Sequence, residues 1–276
     1  MLKVTDVSID IAGKRIVDNV SFTARTGTVT GLIGPNGAGK STLLSALAGD
    51  MPLSSGAVQL EDTDPQITPV KDLARIRSVM LQDVSVAFSF LVRDVVEMGR
   101  RPWARTEQAA LDDEIIDAAL EATGTTHLMD RDIMVLSGGE RARVAMARVL
   151  AQRTPIVFFD EPTAAMDIHY QEKSLGLIRE LALHGATVVI VLHDLNAAAA
   201  YCDSIVCLDQ GTVAAAGDVD SVFTSDILSK VYGWPIEVTK TTAGVHIAPR
   251  RAEPGALHHS LITSASWANS EATARQ

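Results

Sequence analysis

The run Gly34-Pro35-Asn36-Gly37-Ala38-Gly39-Lys40-Ser41 satisfies the spacing G-x-x-x-x-G-K-[ST]. Its glycines let the backbone curl until several N–H groups face one point, and a helix opening there with Thr42 adds the positive end of its dipole. Such a cradle binds phosphate oxygens. Lys40 can then reach β and γ phosphates, and the Ser41 hydroxyl can bind Mg²⁺. A second group is Asp160-Glu161, two carboxylates ending the apolar run Ile156-Val157-Phe158-Phe159. Phosphoryl chemistry needs one carboxylate on the metal side and one free to orient and deprotonate water. A third is Ser137-Gly138-Gly139-Glu140. It reads as a capping box, S-x-x-E, and the two glycines directly after the cap also expose N–H groups as an anion site. His193 ends the apolar run Thr187 to Leu192, on the strand edge where open α/β sheets bind ligands.

These groups require a particular scaffold. Val4, Val7, Ile9 and Ile11, then Ile16 and Val17, then Val20 and Phe22 alternate as short antiparallel strands do, with turns at Ala12-Gly13-Lys14 and Thr26-Gly27. Thr28 to Ile33 reads as the strand before the phosphate turn, Thr42 to Ala48 as the helix after it, and Ala57 to Leu60 as another strand. From 84 to 150 the period becomes helical, as in Leu111, Ile115, Ile116, Ala119 and Leu120, then Val144, Ala147, Leu150 and Ala151. Pro155 to Phe159 and Thr187 to Leu192 read as buried parallel strands, and Ile205 to Leu208 with Thr212 to Ala216 as a closing pair. Gly217 to Val238 reads as a small helical extension. The expectation is an α/β domain over 1–250: a core (1–83 and 151–216), a helical subdomain (84–150) and a C-terminal extension (217–249), with a flexible tail over 250–276.

A phosphate turn, then LSGG (Leu136 to Gly139), then an apolar strand ending in Asp-Glu resembles the ATP-binding cassette of ABC transporters, over nearly the whole chain to about residue 240. The resemblance implies a P-loop NTPase with a mostly parallel core sheet, an antiparallel β subdomain and a helical insertion. It implies ATP as substrate with Mg²⁺, held by Gly34, Pro35, Asn36, Gly37, Ala38, Gly39, Lys40, Ser41 and Thr42, with Ser41, Asp160 and Gln82 at the metal. It makes Glu161 the general base, puts His193 at the γ-phosphate, and makes Gln82, in Met80-Leu81-Gln82-Asp83, the Q-loop that joins core to insertion. In that family the signature of one protomer meets the nucleotide of the other. Ser137, Gly138 and Gly139 therefore imply a head-to-tail homodimer around two nucleotides, with Asp167 of Ala164-Ala165-Met166-Asp167 in the D-loop between them. Ile11 falls where members often stack an aromatic ring on adenine; the missing stack is worth about 1 kcal/mol.

Composition narrows the partners. Lys plus Arg is 24 against 34 Asp plus Glu, a formal charge of −10, which argues against holding nucleic acid by its phosphates. Lys40 and Ser137 lie 97 residues apart without sustained heptads, unlike DNA-repair relatives whose motifs are separated by coiled-coil arms. Cys202 and Cys207 cannot build a disulfide framework and have the wrong spacing for zinc, so a reducing, cytosolic setting is expected. No apolar run is long enough to span a bilayer, and Met1 to Asp10 lacks the pattern of a signal peptide. Transport would thus need two separate permease subunits at the cytoplasmic face of the membrane, fed indirectly by a substrate-binding protein. Trp103 reads either as a cap on the helical insertion or as a partner contact, which the resemblance favours because the family docks its permease beside this region, and His258-His259 carries no metal assignment. LSGGE, the segment Leu91 to Arg100, and Ser229 to Gly233 resemble importers of iron chelates and cobalamin. The approach Ala87-Phe88-Ser89-Phe90 is most similar to hemin import ATPases, with ferric siderophore or cobalamin as alternative cargo.

Overall fold

The computed structural model describes residues 1–82, 88–242 and 244–252. Asp83 to Ala87 and the tail that contains His258 and His259 lie outside the described residues. The strands of the central sheet are β3 (Val29–Ile33), β5 (Arg77–Met80), β6 (Ile156–Asp160), β7 (Thr187–Val191), β8 (Ser204–Asp209) and β9 (Thr212–Asp218). Their order across the sheet is β5-β6-β7-β3-β8-β9. All neighbours are parallel except β8 and β9. A second sheet is antiparallel: β1 (Leu2–Ile11) lies between β2 (Lys14–Ala24) and β4 (Ser55–Leu60).

Side-chain alternation between two buried faces explains why β3, β6 and β7 are mainly apolar and buried throughout. Ile156 and Phe158 of β6 face a core shared with the antiparallel sheet and helix α1 (Lys40–Leu47), whereas Val157 and Phe159 face the opposite core. That opposite core contains α6 (Ile168–Leu183) and α7 (Leu195–Tyr201). A short helix α2 (Val70–Leu73) leads into β5, an edge strand with too few residues to stand out in the sequence.

The helical insertion comprises α3 (Val92–Glu97), a 3₁₀ turn over Met98–Trp103, α4 (Asp112–Ala122) and α5 (Gly138–Gln152). Ile115, Ile116, Ala119 and Leu120 are buried as their period requires, while Leu111 stays exposed at the N-cap of α4. The boundary expected at 150 falls inside α5. That helix gives Val144, Ala147 and Ala151 to the insertion's core and Ala142, Ala145, Met146 and Val149 to the central one. The extension is only partly helical: α8 (Val219–Val222) and α9 (Ser225–Tyr232) are followed by a hairpin of β10 (Ile236–Thr241) and β11 (Gly244–Pro249). The stretch Ile236 to Val238, expected to be helical, is therefore strand. Its β-branched residues pair across the hairpin, with Val238 opposite Ile247.

Trp103 is half-buried and engaged within the chain. Its indole N–H donates to the Gln152 carbonyl (2.7 Å), and the Arg75 and Arg100 guanidiniums lie 5.8 and 5.7 Å from its ring centre. Arg100 is fully buried, pairs with Asp112 (2.7 Å) and donates to the Ala151 carbonyl (2.8 Å). Arg100→Ala leaves that carbonyl and carboxylate without their donor. Urea titration should show a loss of about 2–4 kcal/mol, reduced from the fully buried case because Asp112 reaches solvent.

Candidate functional site

The parallel strands end on one edge, and every group expected around the phosphates leaves from that edge. Lys40 and Ser41 follow β3, Gln82 follows β5, Glu161 follows β6 and His193 follows β7. Asn36, Gly37, Gly39, Lys40, Ser41, Thr42, Gln82, Glu161 and His193 line one open cavity of about 390 Å³. Asp160 joins it from beneath, accepting a hydrogen bond from Ser41 Oγ at 3.1 Å.

The phosphate turn depends on backbone conformations only glycine adopts cheaply. Gly34 has φ of 145°, and a Cβ there would lie 2.1 Å from the Leu208 carbonyl oxygen. Lys40 is almost fully buried, and its ammonium donates back to the Gly34 and Pro35 carbonyls at 2.9 and 3.0 Å. Burial holds the Lys40 amine below its ordinary pKa, partly offset by the Glu161 and Asp160 charges. Burial likewise raises the Asp160 carboxyl, a rise opposed by the Ser41 hydroxyl and reinforced by Glu161. Both groups are thus held where their charged forms are poorly solvated, as suits groups that meet opposite charge on a ligand.

Glu161 breaks the alternation of β6 with φ of 49°, the left-handed region, at a cost of order 1–3 kcal/mol. The bend is held by the bond from Glu161 N–H to the Val191 carbonyl (3.2 Å). Its carboxylate then sits between two donors. Gln82 Nε2 donates to Oε2 at 2.9 Å, and His193 Nε2 lies 2.5 Å from Oε1. The Glu161 side chain is 9% exposed and that of His193 46%. A carboxylate held at both oxygens beside a phosphate cradle can orient a water and accept its proton.

The structure does not bring Ser137, Gly138, Gly139 or Asp167 into this cavity. Ser137 caps α5 in a complete capping box: Glu140 N–H donates to Ser137 Oγ (3.3 Å), and Ser137 N–H donates to Glu140 Oε2 (2.8 Å). Asp167 caps α6 by accepting from Tyr170 N–H (3.0 Å). The two loops adjoin, since a Cβ on Gly139 would lie 3.0 Å from the Ala165 carbonyl oxygen. Ser137 and Gly138 nonetheless stay open to solvent. Ile11, at the end of β1, is 42% exposed and offers an aliphatic surface in place of a stacking ring.

The family model for ABC transporters matches residues 17–164. The chain is 50% identical over 225 residues to the hemin import ATP-binding protein HmuV of Nocardia farcinica, covering 82% of this chain and 78% of that one. It is 46% identical over 252 residues to the protein of the same name from Rhodococcus jostii, covering 91% and 86%. The chain belongs to the ABC transporter family. The cassette, an ATPase by that membership, also superposes on the dimeric structure of a bacterial ABC transporter cassette (25% identity, TM-score 0.70, covering 79% of this chain and 99% of that one).

The residue that sequence reasoning misses acts through backbone contacts. Asn196 pairs with Ile247 at the start of the helix that follows His193, and no pattern in the sequence points to it. Neither cysteine has a role here: both are free and buried, and burial raises their thiols to about 12 (Cys202) and about 11 (Cys207). Among the described residues no cluster of His, Cys, Asp or Glu could hold a metal by itself.

Asp160 generates a testable stability change. Its folded-state pKa is raised from the ordinary 3.8, so its contribution is full below that value and lost as pH rises through the raised one. At neutral pH the ionised carboxylate costs stability in nucleotide-free protein. Asp160→Asn, which keeps an acceptor for Ser41, should therefore raise the melting temperature at pH 7.5 without nucleotide while abolishing hydrolysis. An unchanged or lower melting temperature would refute the assigned cost.

Proposed function

We propose that this cassette hydrolyses ATP to energise import of hemin through two membrane-embedded permease subunits. The observation that carries the cargo is the identity of 50% and 46% with two hemin import ATP-binding proteins over most of each chain. No residue of the site touches cargo, so energy enters through the nucleotide alone. Among the described residues no helix is long and apolar enough to cross a membrane, which fits a subunit held peripherally at the cytoplasmic face by its permeases. A substrate-binding protein would deliver hemin to those permeases.

The geometry supports the following sequence. The N–H groups of Gly37 to Thr42 and the start of α1 receive the phosphates, and Lys40 exchanges its Gly34 and Pro35 carbonyls for β- and γ-phosphate oxygens. The oxygen donors Ser41 and Asp160, with Gln82 beside Glu161, suit Mg²⁺, which takes few protein ligands and completes its shell with water and phosphate. When bound there, Mg²⁺ neutralises charge on the transferring phosphoryl group. Glu161 orients the attacking water and takes its proton, and His193 holds the carboxylate and reaches toward the γ-phosphate. Ser137, Gly138, Gly139 and Asp167 stand apart from their own cavity and serve the nucleotide of a second copy. Two ATP then close a head-to-tail dimer, closure moves the permeases, and hydrolysis resets them.

Glu161→Gln keeps both hydrogen-bond partners within reach but removes the base. ATP turnover should fall by about 100-fold or more while ATP still binds and dimers accumulate in size-exclusion chromatography. Hydrolysis near the wild-type rate would place the base elsewhere. Deleting the gene should abolish growth on hemin as sole iron source and spare growth on ferric siderophore. The reverse pattern would assign a siderophore, and normal growth on both would remove the hemin reading and direct attention to cobalamin.

A further inference from the structure

One contact ties the C-terminal extension to the loop that carries His193.

It is made by Asn196 in the first turn of α7. Its side-chain amide pairs with both main-chain groups of Ile247 in β11. Ile247 N–H donates to Oδ1 at 2.8 Å, and Nδ2 donates to the Ile247 carbonyl at 3.1 Å. Asp194, two residues earlier, caps the same helix by accepting from Asn196 N–H (2.8 Å) and Ala197 N–H (3.2 Å). His193 immediately precedes that cap and meets Glu161. The start of α7 is therefore fixed to β11 at one residue and bears the catalytic loop three residues away.

α9 and the hairpin behave as one body. Ser229 Oγ accepts from Ile236 N–H (2.9 Å), Ser225 Oγ accepts from Val238 N–H (3.0 Å), and the Trp234 indole donates to the Arg250 carbonyl (2.7 Å). Leu228, Val231, Ile236 and Ile247 are all buried in the central core. The element that holds Asn196 is thus itself anchored in the central core.

We propose that residues 217–250 brace the loop of His193 through the pairing of Ile247 with Asn196, which makes Asn196 a positioning residue for hydrolysis. This rests on the assignment of Lys40, Glu161 and His193 to ATP binding and hydrolysis. Asn196 bears on the group that holds the base, so its loss is read in turnover rather than in affinity.

The test uses the purified full chain, with ATP affinity from titration, kcat from phosphate release and a thermal melt for each variant. Asn196→Ala should lower kcat about fivefold with Kd within twofold, and Asn196→Asp, which keeps the acceptor for Ile247 N–H, should recover part of it. Unchanged Kd and kcat, whatever the melting temperature, would show that the contact serves the fold alone and would overturn its positioning role. Lys40→Ala is the control: unimpaired ATP binding by that variant would defeat the site assignment itself, whereas lost binding there with normal turnover by Asn196→Ala would defeat the brace alone.

Discussion

The register of β5, β6, β7 and β3 is the constraint on which the site depends. Phe159 lies opposite Met80 on one side and Ile190 on the other, and Val191 lies opposite both Leu32 and Asp160. This alignment brings Gln82, Glu161, His193 and the phosphate turn to one edge at the same height. A shift of one residue in any strand would exchange its two cores and move its terminal group by about 3.3 Å, beyond hydrogen-bond reach of its neighbour. The register is held because β3, β6 and β7 are buried on both faces and each face packs into its own core. Core packing and catalytic geometry are consequently the same constraint.

The buried charges give that edge its chemical character. Lys40 and Asp160 are both nearly excluded from solvent, and each has its pKa moved toward the neutral form. In the nucleotide-free protein their solvation comes from the chain itself: two carbonyls for the ammonium and a hydroxyl for the carboxylate. A phosphate and its cation replace these weak partners with full charges of opposite sign. Ligand binding thus relieves a cost built into the fold, consistent with the general trade between stability and function at polar sites.

Groups defined by side-chain type at fixed spacing are legible in the amino-acid sequence itself: Lys40, Ser41, Asp160 and the capping box at Ser137. The long apolar strands β6 and β7 and the periodic face of α4 are equally plain, because burial on both faces and a 3.6-residue period leave direct marks. Gln82 and His193 need the family resemblance, since one amide and one imidazole carry no pattern. Other features leave no local mark. The positive φ of Glu161 is imposed by its tertiary surroundings, and β5 is too short to announce itself. The first residues of the hairpin β10–β11 read as helix because α9 ahead of them is amphipathic and the change of period comes within a few residues. The contacts of Trp103 are equally silent in the sequence, since Arg75 and the Gln152 carbonyl reach it from distant segments and join Arg100, three residues before it.

Helix α5 has a mechanical meaning. Its C-terminal end is bolted to the core, where Gln152 Nε2 donates to the Ala74 and Arg77 carbonyls at 2.7 and 3.0 Å and its own carbonyl receives the Trp103 indole. Its N-terminal end carries Ser137 and Gly138 into solvent. With fifteen residues the helix is a rod of about 22 Å, gripped by both cores along its length from Ala142 to Ala151. A push felt at the Ser137 end is therefore carried along the rod to Gln152 and the segment leading into β5 instead of being absorbed within the helix.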